Sequence, residues 1–402
     1  MLNNKSILTL PCQKCVGCRS CLLSCPKSCI SMKEDREGFF YPAVDTEKCV
    51  ECGLCVKKCP ILSPKKVAWI NPDRYALILK DKKTLYSSSS GGLFAGIASY
   101  FLENGGVVFG ASYDDNLNVH TIGIESKNEL YKIQGSKYVT CDTGWTFKQV
   151  KTLLNTEKLV LYSGSPCQIA GLRTYLGKEY ENLYTMDLIC HGVPSAKLFR
   201  KYLEWLGKKN HGKIIYYGFR DKCVSGWSCG GKVRIKTKTK TKTKIIEGFC
   251  DPYYHQFLIC GTYRESCYVC PFAKKIERIG DITMGDFWGT DKNYPDIPEK
   301  DGISLCSVNT LQGKRLFELV KDRFSVYDCP GNETLKINIA YNQPSARPDS
   351  RNTVYNGIDG NLNKYFKSLE TPSYVKFYLR KTVVRILPKS VKKIIKKLQG
   401  KA

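Results

Sequence analysis

The chain has 402 residues, 42% hydrophobic and 25% charged, a globular balance that excludes a disordered polymer, and no run of about eighteen apolar residues marks a membrane span. Its formal net charge of +26 raises nucleic acid as a partner, yet ten Lys/Arg with no acidic residue fall between Thr371 and Ala402, and seven more lie between Lys232 and Lys244. Neither stretch carries a nucleic-acid module, so no nucleic-acid function is expected.

In chain order the first element is a cysteine array in two copies, Cys15, Cys18, Cys21, Cys25-Pro26 and Cys49, Cys52, Cys55, Cys59-Pro60. Each reads C-x2-C-x2-C-x3-C-P, the bacterial ferredoxin run, in which three thiolates hold one cluster and the fourth crosses to the other. Cys15, Cys18, Cys21 and Cys59 are therefore expected to hold one 4Fe-4S cluster, and Cys49, Cys52, Cys55 and Cys25 a second. Disulfides need no such triplet, and structural zinc usually takes separated CxxC pairs. Cys12 and Cys29 lie outside the pattern and are set aside as bystanders, although Cys12 could compete with Cys15 as first ligand. The module occupies residues 1–65. The N-terminal MLNNKSILTLPC lacks a long apolar stretch and a cleavage site, and with 21 cysteines in the chain it leads to the expectation of a reducing, cytoplasmic setting.

Residues 61–73, with Pro64 and Pro72, read as a linker. A strand is predicted over Tyr75–Lys80, then a Ser/Gly loop (SSSSGG) capping a helix whose apolar residues recur at Leu93, Phe94, Ile97, Ala98, Phe101 and Leu102. Strands follow from Val107 and Thr121. Two strand-loop-helix units come next: Leu159–Tyr162 with a loop at Ser163–Pro166 and a helix from about Cys167, then LYTMDLIC with a loop at His191–Ser195 and a helix ending near Leu206. Such loops at strand ends are favoured ligand sites, because helix N-terminal N–H groups receive phosphate oxygens. Small Ser/Gly loops are equally ordinary αβ connections. From Lys213 the pattern turns to β. Every even position from Lys232 to Lys244 is Lys or Arg, so one extended strand or a hairpin is expected to present a solvated basic face.

A second cysteine set lies further on: Cys267 and Cys270 form C-x2-C before Pro271, and Cys167 and Cys190 each follow an apolar strand. Four such cysteines suffice for a third 4Fe-4S cluster, and isolated structural or redox thiols are the competing reading. The segments SSSSGGLFAGIASYF (Ser87–Phe101), QGSKYV (Gln134–Val139), SGSPCQIAGL (Ser163–Leu172), ICHGVPS (Ile189–Ser195) and GDITMGDFWG (Gly280–Gly289) resemble the beta subunit of coenzyme F420-reducing hydrogenases and dehydrogenases over roughly Tyr75–Lys321. That family also includes plant hydroxymethyl chlorophyll reductase. The resemblance implies FAD beside a 4Fe-4S cluster, exchanging electrons with a deazaflavin or another organic two-electron carrier. It implies that Ser90, Gly91 and Gly92 approach the flavin phosphates, and that Gly135, Ser136, Lys137 and Tyr138 line the ring, with Lys137 stabilising reduced flavin. Gly164, Ser165 and Pro166 would shape the loop beside Cys167, His191 would serve as proton donor or loop residue, and Asp286, Phe287 and Trp288 would close the pocket. It also favours Cys167, Cys190, Cys267 and Cys270 as the third cluster's ligands.

The expected fold is α+β: a small ferredoxin-like module joined to a larger mixed α/β flavin-binding domain over 75–325, then a C-terminal extension over 326–402 with a basic helical tail. In that tail Val391, Ile394, Ile395 and Leu398 form one stripe opposite lysines, the pattern of a helix at an anionic membrane surface or docked on protein. The expected function is electron exchange between ferredoxin, or another redox protein, and an organic two-electron substrate. The chain would work in the cytoplasm, with peripheral contact at the inner face of the membrane. Alternatives are an electron-transfer subunit without its own substrate, and a membrane-surface biosynthetic reductase.

Overall fold

The computed structural model describes residues 5–377, apart from 275, 291–293, 299, 330–337 and 376, and for 224 and 225 it describes the backbone alone. The expected amphipathic tail helix and its membrane contact lie outside the described residues. Among these, no helix is long and apolar enough to cross a membrane.

The N-terminal module is built from two similar turns. In the first copy Gly17 (φ 68°) and Arg19 (φ 65°) are left-handed, and in the second the equivalent Glu51 (φ 49°) and Gly53 (φ 72°) are too. Alternating left-handed residues between the cysteines curl the chain so that successive thiols face one side. Each copy accepts one non-glycine there, a strain of about 1–3 kcal/mol that the surrounding contacts must hold in place. Short helices Ser20–Ser24 and Leu54–Lys57 follow, and strands β1 (Ile30–Glu34) and β2 (Phe40–Val44) pair antiparallel with Ile30 opposite Val44.

The rest is organised around one eight-stranded sheet. Its strands are β3 (Trp69–Leu79), β4 (Val107–Tyr113), β5 (Val119–Ile124), β6 (Val160–Gly164), β7 (Leu183–Leu188), β11 (Ile282–Asp286), β12 (Ser304–Thr310) and β13 (Phe324–Asp328). Strand β3 starts inside the segment read as a linker. Pro72, which cannot donate to a ladder, is tolerated because the register with β12 shifts between Val308 and Thr310, opposite that stretch. The order is β13-β3-β12-β11-β7-β6-β4-β5, with β4, β6, β7 and β11 parallel and the outer pairs antiparallel. Helices Leu93–Glu103, Thr146–Asn155 and Pro166–Leu176 pack on the sheet through buried Ile97, Phe101, Phe147, Val150, Ile169 and Leu172. The helix at Pro166 starts one residue earlier than the sequence pattern suggests, because proline at the first helical position loses no hydrogen bond.

Between β7 and β11 the chain makes a second, three-stranded antiparallel sheet, β8 (Lys213–Gly218), β9 (Gly230–Lys236) and β10 (Thr241–Glu247), in the order β10-β9-β8. The single basic face expected of the KT repeat is not formed. The turn pairs Lys236 with Thr241, so odd numbers oppose even ones: Lys244 sits across from Val233 and Lys242 from Ile235, while Lys232 and Arg234 oppose Ile245 and Thr243. Residues directly opposite share a face, and the charge is therefore divided between both faces of the hairpin. This sheet, helix Ala196–Lys209 and residues beyond 350, among them Tyr355, Tyr365 and Phe366, share an aromatic core with Tyr202, Tyr217, Phe219 and Tyr253. The C-terminal extension is thus partly structural.

Candidate electron-transfer and cofactor sites

Two cavities lie among the N-terminal cysteines. One is lined by Cys15, Cys18, Cys21 and Cys59, the other by Cys25, Cys49, Cys52 and Cys55. Among the described residues no three His, Cys, Asp or Glu side chains close on a single metal ion. Cys29, set aside in the sequence, also lines the second cavity, with its Sγ 3.4 Å from that of Cys25. Burial and then repulsion by Cys15 and Cys59 push the Cys21 thiol up to about 12, and burial raises Cys18 and Cys59 as well. These thiols must shed protons to take up iron, so loading couples to pH.

The loop that lines the first cavity packs against the rest of the protein. A Cβ on Gly171 would stand 2.8 Å from Cys18 Cβ and 3.0 Å from its Sγ, so only glycine lets helix Pro166–Leu176 lie against this loop. Around that contact Thr143 Oγ1 donates to the Cys18 carbonyl, Lys58 Nζ donates to the Tyr175 carbonyl at 2.8 Å, and Arg19 pairs with Asp142 at 2.6 Å. The module is docked through the loop that carries the inner cysteines.

Cys167 is the second residue of that same helix. Ser165 caps its start through a capping box with Gln168, and Ser165 Oγ lies 3.2 Å from Cys167 Sγ. Cys190 follows β7, whose Asp187 lies beside Gly164 of β6, so the two thiols leave adjacent parallel strands at one edge of the sheet. Cys267 sits on the short helix Glu265–Tyr268, and its N–H donates to the Arg264 carbonyl. Burial raises Cys190 strongly, with further repulsion from Cys267, Cys167 and Cys270. Burial and the Cys167 charge also raise Cys267 to about 12 and Cys270 to about 11.

At the same edge the loops after β3 and β11 meet the start of β12. Ser90 Oγ donates to the Ile303 carbonyl at 2.7 Å, and Ser136 N–H donates to Ser89 Oγ at 2.9 Å, which joins the two Ser/Gly-rich segments. Asp286 pairs with Arg220 and accepts Trp227 Nε1–H at 3.0 Å, while Trp227 stacks on Trp288 at 4.1 Å and 8°. Arg220 Nη2 is buried without a hydrogen-bond partner. Lys222 Nζ donates to the Leu85 and Ser90 carbonyls, and burial, followed by the Arg220 charge, lowers it to about 8. Lys137 Nζ folds back on the Gln134 and Gly135 carbonyls over the Tyr113 ring, and burial lowers it to about 8 too.

A Cβ on Gly91 would fall 2.2 Å from the Leu77 carbonyl, and Gly92 is a left-handed cap pressed on Leu79; packing against the sheet accounts for both. Gly135 (φ 80°) has open space beside it. Tyr138 is stacked on Phe257 at 4.2 Å within the aromatic core. The Gly164 side is filled by Gln168, and Pro166 is the first helical residue. His191 is exposed, and its carbonyl accepts Ser345 Oγ–H. Phe287 is fully buried in the core beneath the loop. The first aspartate of GDITMGD, Asp281, is structural: it accepts from Arg173, Thr185 and Thr310. Arg220, Lys222, Trp227 and Arg264 were missed, since single charged or aromatic residues in loops carry no spacing signal.

Residues 14–61 match a 4Fe-4S dicluster domain, and residues 157–328 match the model for the C terminus of the coenzyme F420 hydrogenase/dehydrogenase beta subunit. That second match spans 172 of the 402 residues and shows that this part of the chain is similar to the beta subunit's C terminus. Together the two matches support iron-sulfur electron transfer. The matched span is shorter at its start than the Tyr75–Lys321 resemblance. Among solved structures, a chain of the F420-reducing NiFe hydrogenase complex from Methanosarcina barkeri, studied by xenon derivatization, is 16% identical, with a TM-score of 0.43, 73% of this chain covered and 93% of that one. No curated protein matches.

Proposed function

We propose that this chain passes electrons between a redox protein such as ferredoxin and an organic two-electron carrier or substrate, a deazaflavin being the first candidate. In this reading Cys25, Cys49, Cys52 and Cys55 hold the outer 4Fe-4S cluster, Cys15, Cys18, Cys21 and Cys59 the inner one, and Cys167, Cys190, Cys267 and Cys270 a third. FAD lies at the sheet edge among Ser90, Gly135, Ser136, Lys137, Arg220, Asp286 and Trp288. When bound, the clusters supply one-electron carriers and the flavin supplies exchange between single electrons and a hydride.

The observation that carries this reading is that Cys167 and Cys190 leave adjacent parallel strands at the sheet edge where an aromatic and cationic loop cluster gathers. Carboxyl ends of parallel strands are where α/β sheets bind ligands. The chain's own groups fit an anionic, aromatic cofactor there: the Arg220 Nη2 donor lacks a partner, the Trp227–Trp288 pair offers a flat apolar face, and Gly135 leaves room beside its backbone. Asp286 holds the Arg220 guanidinium in place, and Lys222 ties the Ser90 carbonyl down, so the edge is ordered by its own bonds. Lys137 and Lys222, both lowered to about 8 by burial, are nearer to proton exchange at neutral pH than an exposed lysine.

Anaerobic purification with iron and flavin quantitation tests the reading. About twelve irons and about one FAD per chain are expected, since each 4Fe-4S cluster contributes four irons. About eight irons would remove the third cluster, and absence of flavin would overturn the hydride-exchange reading. Replacing Cys267 by alanine is expected to remove about four irons and leave the N-terminal sets intact.

A further inference from the structure

Arg264 is 3% exposed, and its guanidinium meets no carboxylate among the described residues. Its Nε–H donates to the Cys15 carbonyl at 2.7 Å and an Nη2–H to the Phe40 carbonyl at 2.9 Å, with the Tyr41 ring 4.0 Å away. A Cβ on Gly17, between Cys15 and Cys18, would come within 3.1 Å of Nη1, so the inner cysteine loop is wrapped around this side chain. Its backbone belongs to the other thiol group. The Arg264 carbonyl accepts the Cys267 N–H, and its own N–H donates to Val193, three residues beyond Cys190. Its charge reaches the Cys167 and Cys267 thiols. A buried guanidinium satisfied only by carbonyl groups is costly to fold around unless anions lie nearby. The groups nearest to this one that become anionic on loading iron are the two sets of thiolates.

We infer that Arg264 is the shared counter-ion of the inner cluster and the Cys167/Cys190/Cys267/Cys270 cluster, a positioning residue that sets both reduction potentials and joins the two sites electrically. The inference rests on the third cluster proposed above. With both clusters bound, transfer between them would move one electron, oxidising one and reducing the other, and no bond would form or break. Each reduction adds a negative charge close to a fixed positive one in a medium of low dielectric, which favours the reduced form at both sites. The outer set, which makes no contact with Arg264, is outside its influence.

The test is potentiometry followed by electron paramagnetic resonance on the anaerobically purified full chain, with iron content measured on the same samples. R264Q is expected to move the inner and third potentials in the negative direction while the outer potential stays in place. R264K keeps the charge but not the fork of donors, and is expected to restore most of the shift even if it lowers thermal stability. Unchanged potentials in R264Q with full iron content would overturn the inference, as would an equal shift at all three sites, or an R264K shift as large as that of R264Q. If R264Q fails to hold iron, R264K alone decides: potentials near those of the native chain support the charge role, and a large negative shift sinks it. About eight irons in the native chain would remove the third site and with it the shared role, whereas full iron without the R264Q shifts would refute Arg264 and leave the three-cluster reading standing.

Discussion

Cys15, Cys18, Cys21 and Cys59 are all buried, whereas Cys52 is exposed and Cys25, Cys49 and Cys55 are half-buried. The two sets come from the same motif and the same pair of left-handed turns, so local sequence does not separate them. Their surroundings do. Residues of the N-terminal module line both cavities, but the inner loop also lies against Gly171 and Arg264 of the large domain. One motif copied twice has become an interior contact and an outward-facing terminal. The exposed set is the one that a protein partner can approach.

The largest effect expected from this difference is at the ligands. Cys18→Ser and Cys52→Ser should each lose about four irons, as one cluster holds four. Only Cys18→Ser should also lower the melting temperature of the large domain, because its loop is part of that domain's packing. Calorimetry with iron quantitation checks this, and equal destabilisation by both would erase the distinction between inner and outer. A smaller effect is expected from Gly171→Leu, which pushes a branched side chain into the Cys18 contact. Overpacking of this kind costs about 1–3 kcal/mol, and denaturant unfolding should report it together with preferential loss of inner-cluster signals. The smallest is Asp142→Asn, which breaks the pair with Arg19. Arg19 is 20% and Asp142 45% exposed, so the loss is expected at about 1 kcal/mol or below and should shrink as salt is added.

The cysteine spacing and strand-loop-helix rhythm were legible because both are periodic: C-x2-C-x2-C-x3-C-P repeats within sixty residues, and Leu93, Ile97 and Phe101 recur on one helical face. Strand β3 was cut short because Pro72 reads as a breaker until the bulge opposite it is seen. The KT segment misled for a related reason. Alternation predicts a one-sided strand, but a hairpin turn pairing Lys236 with Thr241 inverts the parity of the second half. Gly91 and Gly92 look like a phosphate loop in sequence, and packing against Leu77 and Leu79 explains them without one.

By itself the sequence determined the two iron-sulfur motifs and the alternation that makes a mixed sheet, since both depend on spacing along the chain. Tertiary structure decided which cysteine set faces inward, and it placed Arg220, Lys222, Trp227 and Arg264 at positions no motif marks. Those placements depend on segments far apart in the chain meeting at one edge of a sheet. Arg264, for instance, stands 249 positions from the Cys15 carbonyl it binds. Separation of that size leaves no local signature; packing alone brings the two together.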